Sequence, residues 1–242
     1  IYTLSLHDAL PIYKHLSALA LLAAERHALT RDELQAQLNT YLDLLKQVPY
    51  SPHSTMPDED ARTLLEQAME LNKFEVSEDK LGQIISLDRY QAILLTYYRN
   101  NILHLFAMPS LVAALIERCE GISRSEIVAR CVDIYPLLKT ELFLRYEEEE
   151  LPELIDALLA ELLRQQLVEA RDGGYWVNPG NQMRLLLLAE SIQETLQRYA
   201  IVLTRVRSDA GTGACIERRC QGNSTKEIRR CLKRYATRQN LI

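Results

Sequence analysis

The stretch Ser86–Cys119, SLDRYQAILLTYYRNNILHLFAMPSLVAALIERC, constrains the fold more than any other. It is the longest helical pattern in the chain and the most apolar. Asp88 stands where a short side-chain oxygen can accept from the unpaired N–H groups of a first turn. Leu94, Tyr98, Ile102, Leu105, Val112 and Leu115 return to one side at steps of three, four or seven, which predicts a helix with an apolar stripe. Pro109 removes one backbone donor, so a bend near Leu105, or a split into two shorter helices, is expected. The 17 residues between Arg99 and Glu117 carry no formal charge, short of the ~20 apolar residues that a membrane span requires. Asn100, Asn101, His104, Pro109 and Ser110 lie among them, and each polar group would need a partner in hydrocarbon. A buried core helix is the reading, with an interfacial or a spanning segment as the alternatives.

At 242 residues the chain has room for one large domain or two small ones. Its 48% hydrophobic content supports a real core, and three Phe, one Trp and eight Gly beside abundant Leu, Ala and Glu predict a mainly α fold. The expected architecture is a helical bundle around the long central helix. The net charge of −5 hides an asymmetry: residues 207–242 carry 9 Lys and Arg against 3 Asp and Glu, leaving 19 against 30 in the rest. Five cysteines, an odd number, argue against a disulfide framework and suit a reducing compartment. Cys119 and Cys131 fall in helical patterns as small buried hydrophobes. Cys215, Cys220 and Cys231 could be read as three thiolate ligands, but no histidine follows His104 to complete a zinc site, so no metal is assigned. No secretory signal is expected at the start, because Ile1–Ile12 lacks a basic opening and contains His7 and Asp8. That dodecamer resembles translated sequencing-adaptor read-through and is set aside.

Along the chain, Tyr13–Ala28 reads as a helix. Thr30-Arg31-Asp32-Glu33 is a capping box opening a second helix to about Gln47, striped by Leu34, Leu38, Leu42 and Leu45. Pro49, Pro52 and Pro57 mark a loop, and Asp58 or Glu59 opens a third helix through about Leu71. Phe74–Val76 and Gln83–Ser86 can pair as a hairpin around Gly82. Beyond the long helix, Ser123 and Glu126 form a second capping box for a helix over Arg124–Lys139. The acidic run Glu147–Glu150 reads as a solvated turn before a helix with Pro152 in its first turn. Val168–Arg171 and Tyr175–Asn178, joined by Asp172-Gly173-Gly174, predict a hairpin. A last amphipathic helix follows, striped by Leu185, Leu188, Ile192, Leu196, Tyr199 and Leu203.

The order helix, acidic turn, helix, hairpin between Ser123 and Asn178 looks like a winged helix. From Glu141 to Ala170, however, two Arg stand against nine Asp and Glu, a net charge of −7 that repels a duplex. A winged-helix-like packing module is expected, with no nucleic acid as partner.

Candidate chemistry is sparse. His27 with Asp32, and His53 with Asp58, share the H-x4-D spacing in which an aspartate can orient an imidazole as general base. Neither pair is followed by a Gly-rich anion-binding loop or an acid-Gly-x-Arg-Ser block, and both fall near helix ends or turns. Arg99, Asn100, Asn101 and His104 form a polar cluster, read as a headgroup or phosphate contact or as a hydrogen-bonded helix–helix seam. No dinucleotide fingerprint, P-loop or nucleophile elbow is present. Catalytic, cofactor-binding and metal residues are therefore all assigned as none.

Several strings carry a family resemblance. Val48-Pro49-Tyr50-Ser51, Asn72-Lys73-Phe74-Glu75-Val76 and Thr96-Tyr97-Tyr98-Arg99-Asn100-Asn101-Ile102 resemble the region C-terminal to the catalytic domain of bacterial glycerol-3-phosphate 1-O-acyltransferases. So do Tyr135-Pro136-Leu137-Leu138-Lys139, Glu141-Leu142-Phe143-Leu144-Arg145 and Arg198-Tyr199-Ala200-Ile201. The resemblance runs from about Tyr13 to Val206. It implies a parent enzyme that acylates the sn-1 hydroxyl of glycerol-3-phosphate, from acyl-CoA or acyl-carrier protein, at the cytoplasmic face of the bacterial inner membrane. It further implies that the catalytic H-x4-D and substrate-binding blocks lie upstream, so the fragment alone is expected to be inactive, with no cofactor. Its implied partners are the catalytic domain of the same protein and the membrane surface. The expected organisation is residues 1–12 as artefact, 13–120 as a helical region continuing from the catalytic domain, 121–206 as the winged-helix-like module, and 207–242 as a non-family basic tail from a frameshift. The other functional reading is an autonomous winged-helix-like interaction module without enzymatic activity.

Overall fold

The computed structural model describes residues 12–53, 58–70, 74–80, 82–119 and 121–210, with side chains to residue 201. The expectations for the first eleven residues, for Cys215, Cys220 and Cys231, and for the tail past Ala210 lie outside the described residues. Among the described residues are eight α-helices, three short 3-10 turns and two small sheets. The architecture is mainly α, built around one long helix.

That helix, α4 (Arg89–Glu117), has 29 residues. Asp88 caps it, its carboxylate accepting the Gln91 N–H at 2.6 Å. It runs unbroken through Pro109, where two shorter helices had been an open expectation. Every residue from Phe106 to Ile116 is buried, so tertiary packing holds the turns that lack one hydrogen bond. The apolar stripe also differs from the sequence pattern. In the first half Ala92, Leu95, Ile102 and Leu103 face inward, whereas Leu94 is 40% exposed. Neighbouring helices decide which of two apolar faces is covered: α4 packs chiefly against α1 (Ile12–Ala23) and α7 (Gln182–Glu190).

The first helix ends at Ala23, short of the expected Ala28. Arg26 and His27 take left-handed φ values of 58° and 53° and turn the chain into a strand, β1 (Ala28–Thr30). This strand pairs antiparallel with β3 (Gly82–Ser86), which also forms the expected hairpin with β2 (Glu75–Asp79). Three residues are too few to show alternation, so the extra strand had no sequence signal. Its pairing sets Leu29 opposite Ile85, and both are buried.

The capping box opening α2 (Arg31–Gln47) is complete. The Glu33 N–H donates to the Thr30 hydroxyl at 3.3 Å, and the Thr30 N–H donates to the Glu33 carboxylate at 2.9 Å. Leu34, Leu38, Leu42 and Leu45 are buried, as the periodicity requires. The third helix, α3 (Ala61–Met69), is capped by Asp60 rather than Asp58 or Glu59, with the Thr63 N–H donating at 2.8 Å.

Downstream, Ser123 caps α5 (Arg124–Leu142) by accepting the Glu126 N–H at 3.2 Å. The second capping box is half made, because the Glu126 carboxylate turns instead to Arg130 at 2.8 Å. The acidic run forms an exposed 3-10 turn, Glu148–Glu150, leading into α6 (Leu151–Arg164) with Pro152 in its first turn. Next come β4 (Val168–Arg171) and β5 (Gly174–Val177), joined by Asp172-Gly173 at φ of 54° and 73°. Two positive φ values in a two-residue loop match the strand twist, which is why Asp-Gly was legible. Ile122 bridges Tyr175, so α4, Ile122, α5, α6 and the hairpin follow the order of a winged helix.

The turn expected at Asn178–Asn181 is a 3-10 turn over Pro179–Asn181, and the single helix expected after it is instead two, α7 and α8 (Gln193–Ala210). At the break, the Ser191 hydroxyl donates to the Leu187 carbonyl at 2.9 Å and lies 3.3 Å from the Tyr41 hydroxyl. Such a side-chain bond competes with the helical ladder. Of the expected stripe, Leu185, Leu188, Ile192 and Leu196 are buried and Tyr199 is partly so, while the Leu203 side chain lies outside the described residues. Buried apolar side chains form one continuous cluster from Leu16 to Leu196.

Candidate functional site

A polar cleft of about 700 Å³ opens where the end of α1, the first turns of α4 and the α7–α8 junction meet. Leu22 and Ala23 form its floor with Ala92, and His27, Arg89, Thr96, Arg99, Glu190, Gln193 and Glu194 bring polar groups to its walls. Arg99 lies 2.7 Å from Glu194, closing an α4–α8 ion pair in which the arginine side chain is 12% exposed. Burial pushes the Glu190 carboxyl above its usual range, partly offset by Arg118. The Gln193 Oε1 and the His27 Nδ1 are both buried here without a hydrogen-bond partner among the described residues. Gln193 as a whole is 7% exposed.

The cleft holds acids, bases and a histidine, yet no hydrogen bond joins His27 to a carboxylate among the described residues. Asp32 sits in the exposed first turn of α2. His53 and Asp58 are exposed, and the His53 N–H donates to the Ser51 hydroxyl at 3.3 Å. Neither H-x4-D pair is assembled. A general base is oriented by a partner within hydrogen-bond reach, a contact that neither pair makes among the described residues.

The polar cluster on α4 is divided between two places. Arg99 faces α8 and also donates to the Asn100 side-chain oxygen at 3.1 Å. Five residues on, His104 faces the opposite way and meets the Tyr50 ring edge-on at 5.3 Å. Burial holds this imidazole below its ordinary pKa, offset in part by a backbone hydrogen bond at Asn101. Cys131 is fully buried and Cys119 accepts from Arg130 at 3.2 Å. No cluster of three or more metal-ligating side chains exists among the described residues.

Sequence reasoning missed an aromatic lock centred on Tyr50. The Tyr50 hydroxyl accepts the Arg145 N–H at 2.9 Å, the Tyr146 hydroxyl donates to the Tyr50 carbonyl at 3.4 Å, and the two rings stack edge-on at 5.4 Å. The Arg145 guanidinium lies 4.6 Å from the Tyr146 ring centre, and the Tyr135 hydroxyl donates to the Tyr146 carbonyl at 2.6 Å. Burial raises the pKa of both Tyr135 and Tyr146. Three of the strings quoted above, those holding Tyr50, Tyr135 and Arg145, thus meet here, although Tyr50 and Arg145 are 95 residues apart. The lock has the chemistry of a structural clamp rather than of a reaction centre.

One helix among the described residues, α4, is long and apolar enough to cross a membrane, and 72% of its most apolar window is buried inside the fold. Its exposed residues fall in its first half, between Arg89 and Asn101.

Residues 13–239 match the family model described as the glycerol-3-phosphate acyltransferase C-terminal region. A glycerol-3-phosphate acyltransferase of Aeromonas hydrophila subsp. hydrophila is 94% identical over 191 residues, which are 79% of this chain and 24% of that relative. The chain thus spans about a quarter of the length of this curated relative.

Proposed function

Because the chain belongs to the family of glycerol-3-phosphate acyltransferase C-terminal regions, we propose that it acts as the non-catalytic, supporting part of such an enzyme. The observation that carries this reading is the 94% identity to only 24% of a longer acyltransferase. The whole enzyme would transfer an acyl group from acyl-CoA or acyl-carrier protein to the sn-1 hydroxyl of glycerol-3-phosphate, the first step of phospholipid synthesis. It would work at the cytoplasmic side of the bacterial inner membrane, with this region bearing on the catalytic domain. The unassembled His27–Asp32 and His53–Asp58 pairs support a role other than catalysis.

The autonomous winged-helix-like module is the weaker reading. The hairpin module shares α4 with the N-terminal helices, and its buried side chains belong to the same continuous core. Cutting it free would expose that shared surface.

A paired assay tests the proposal. The chain alone, incubated with labelled glycerol-3-phosphate and acyl-CoA, is expected to yield no lysophosphatidate above background, whereas the full-length enzyme turns over and loses activity when residues 13–206 are deleted. Product from the chain alone, abolished by His27→Ala or His53→Ala, would overturn the non-catalytic assignment.

A further inference from the structure

The first turns of α4 leave an apolar face uncovered. Tyr90, Ile93, Leu94 and Tyr97 are 67%, 66%, 40% and 65% exposed. Their spacing of three, one and three residues places them on one side of the helix. Single exposed hydrophobes are normal on protein surfaces; four large ones in one stripe mark a contact surface. Ile93 also lines the cleft described above, so stripe and cleft form one continuous surface. Within it, the buried Oε1 of Gln193 awaits a donor.

We propose that the Tyr90–Ile93–Leu94–Tyr97 stripe, with the adjoining cleft, is the docking face for the rest of the full-length acyltransferase polypeptide. This rests on the reading of the chain as the C-terminal part of that enzyme. Three observations favour polypeptide as the occupant. First, the chain corresponds to 24% of the Aeromonas relative, so most of that protein lies outside this structure and has to meet it somewhere. Second, α1 begins beside the stripe: the His15 ring stands edge-on to Tyr98 at 5.4 Å, and Tyr98 lies 5.9 Å from Tyr97. A polypeptide leading into α1 arrives at the end of the exposed face. Third, the surroundings suit protein better than lipid. A partner backbone or side chain can donate to Gln193, which acyl chains cannot. Strand β2 exposes Glu75, Glu78 and Asp79, carboxylates that repel anionic headgroups.

Photo-crosslinking in the full-length enzyme, in its native membrane, tests the proposal. Benzoylphenylalanine in place of Tyr97 is expected to crosslink to peptides of the same polypeptide that precede residue 13. Benzoylphenylalanine in place of Asp172, at the tip of the β4–β5 hairpin, should not do so. The Tyr97-position crosslink should be lost on Ile93→Asp, an exposed change that leaves the core intact. Crosslinks only to lipid, only to another polypeptide (a differently labelled second copy included), or none at all would overturn the docking face. So would an equal yield from the Asp172 position. Deleting residues 13–206 separates the two levels. If activity survives the deletion, the supporting role itself fails; if activity is lost while the Tyr97 position makes no intrachain crosslink, only the assignment of the face fails.

Discussion

The indole of Trp176 lies across Gly121 so closely that a methyl group there would stand 2.4 Å from its Cζ2 atom. Gly121 also has a φ of +76°, a left-handed conformation that other residues adopt at a cost. The glycine therefore closes the turn after α4 and admits the hairpin against it. Trp176 is further pinned by its Nε1–H donating to the Arg171 carbonyl at 3.2 Å and by the Arg171 guanidinium 4.6 Å from its ring.

Gly121→Ala is expected to cost about 2–4 kcal/mol, the sum of a left-handed backbone penalty and overpacking. Trp176 is the chain's one tryptophan, so its fluorescence reports the displaced hairpin directly. Adding Trp176→Leu should recover the overpacking part and leave the backbone part. Unchanged denaturation midpoints and fluorescence for Gly121→Ala would contradict the close approach.

Val112→Asp should destabilise by roughly 4 kcal/mol or more, because a fully buried position offers a charge neither water nor a partner. Leu105→Asp should cost clearly less, since Leu105 is only partly buried at the edge of the core. Thermal melting of the two variants checks the ranking. Equal losses would mean that α4 is rotated from its described position.

His104 links stability to pH. Its folded-state pKa lies below the ordinary value because burial disfavours the imidazolium. The unfolded chain therefore binds the proton more readily, and stability rises with pH between the two pKa values. The contribution is complete above about pH 6.5, the unfolded histidine value, and is lost as pH falls toward the folded pKa. His104→Gln should flatten the pH dependence of the melting temperature below that point. An unchanged slope would assign the effect to another group.

Glu190→Gln should stabilise the fold at neutral pH. Burial raises the Glu190 carboxyl pKa, so its ionised form carries a penalty above the folded value that glutamine never meets. As pH falls through that value the wild-type carboxyl protonates, and below the unfolded pKa the advantage of the variant disappears. Melting curves across acidic to neutral pH read this convergence. A gain that persists at the acidic end would have to come from a hydrogen bond rather than from the removed charge.

Much of this fold is written locally, and those parts were legible. Asp88, Thr30 with Glu33, and Ser123 cap their helices through groups three residues away or fewer, and Asp172-Gly173 closes its hairpin within its own turn. The spacing of Leu34, Leu38, Leu42 and Leu45 named the inner face of α2 because that helix has one apolar side. The first half of α4 has two apolar sides, and the placement of the helices packed on it, α1 and α7 chief among them, leaves Leu95 buried and Leu94 outside. At the break between α7 and α8, Ser191 meets Tyr41, 150 residues earlier, a contact that no local pattern announces. The strand at Ala28–Thr30 exists because β3 lies beside it, and the unassembled His27–Asp32 pair follows from the same turn of the chain. Caps and turns are satisfied by neighbours in sequence, so sequence alone determines them. The choice between competing apolar faces, and the meeting of distant polar groups, is made by whichever arrangement buries most surface with its hydrogen bonds satisfied, and that is a property of the packed chain alone.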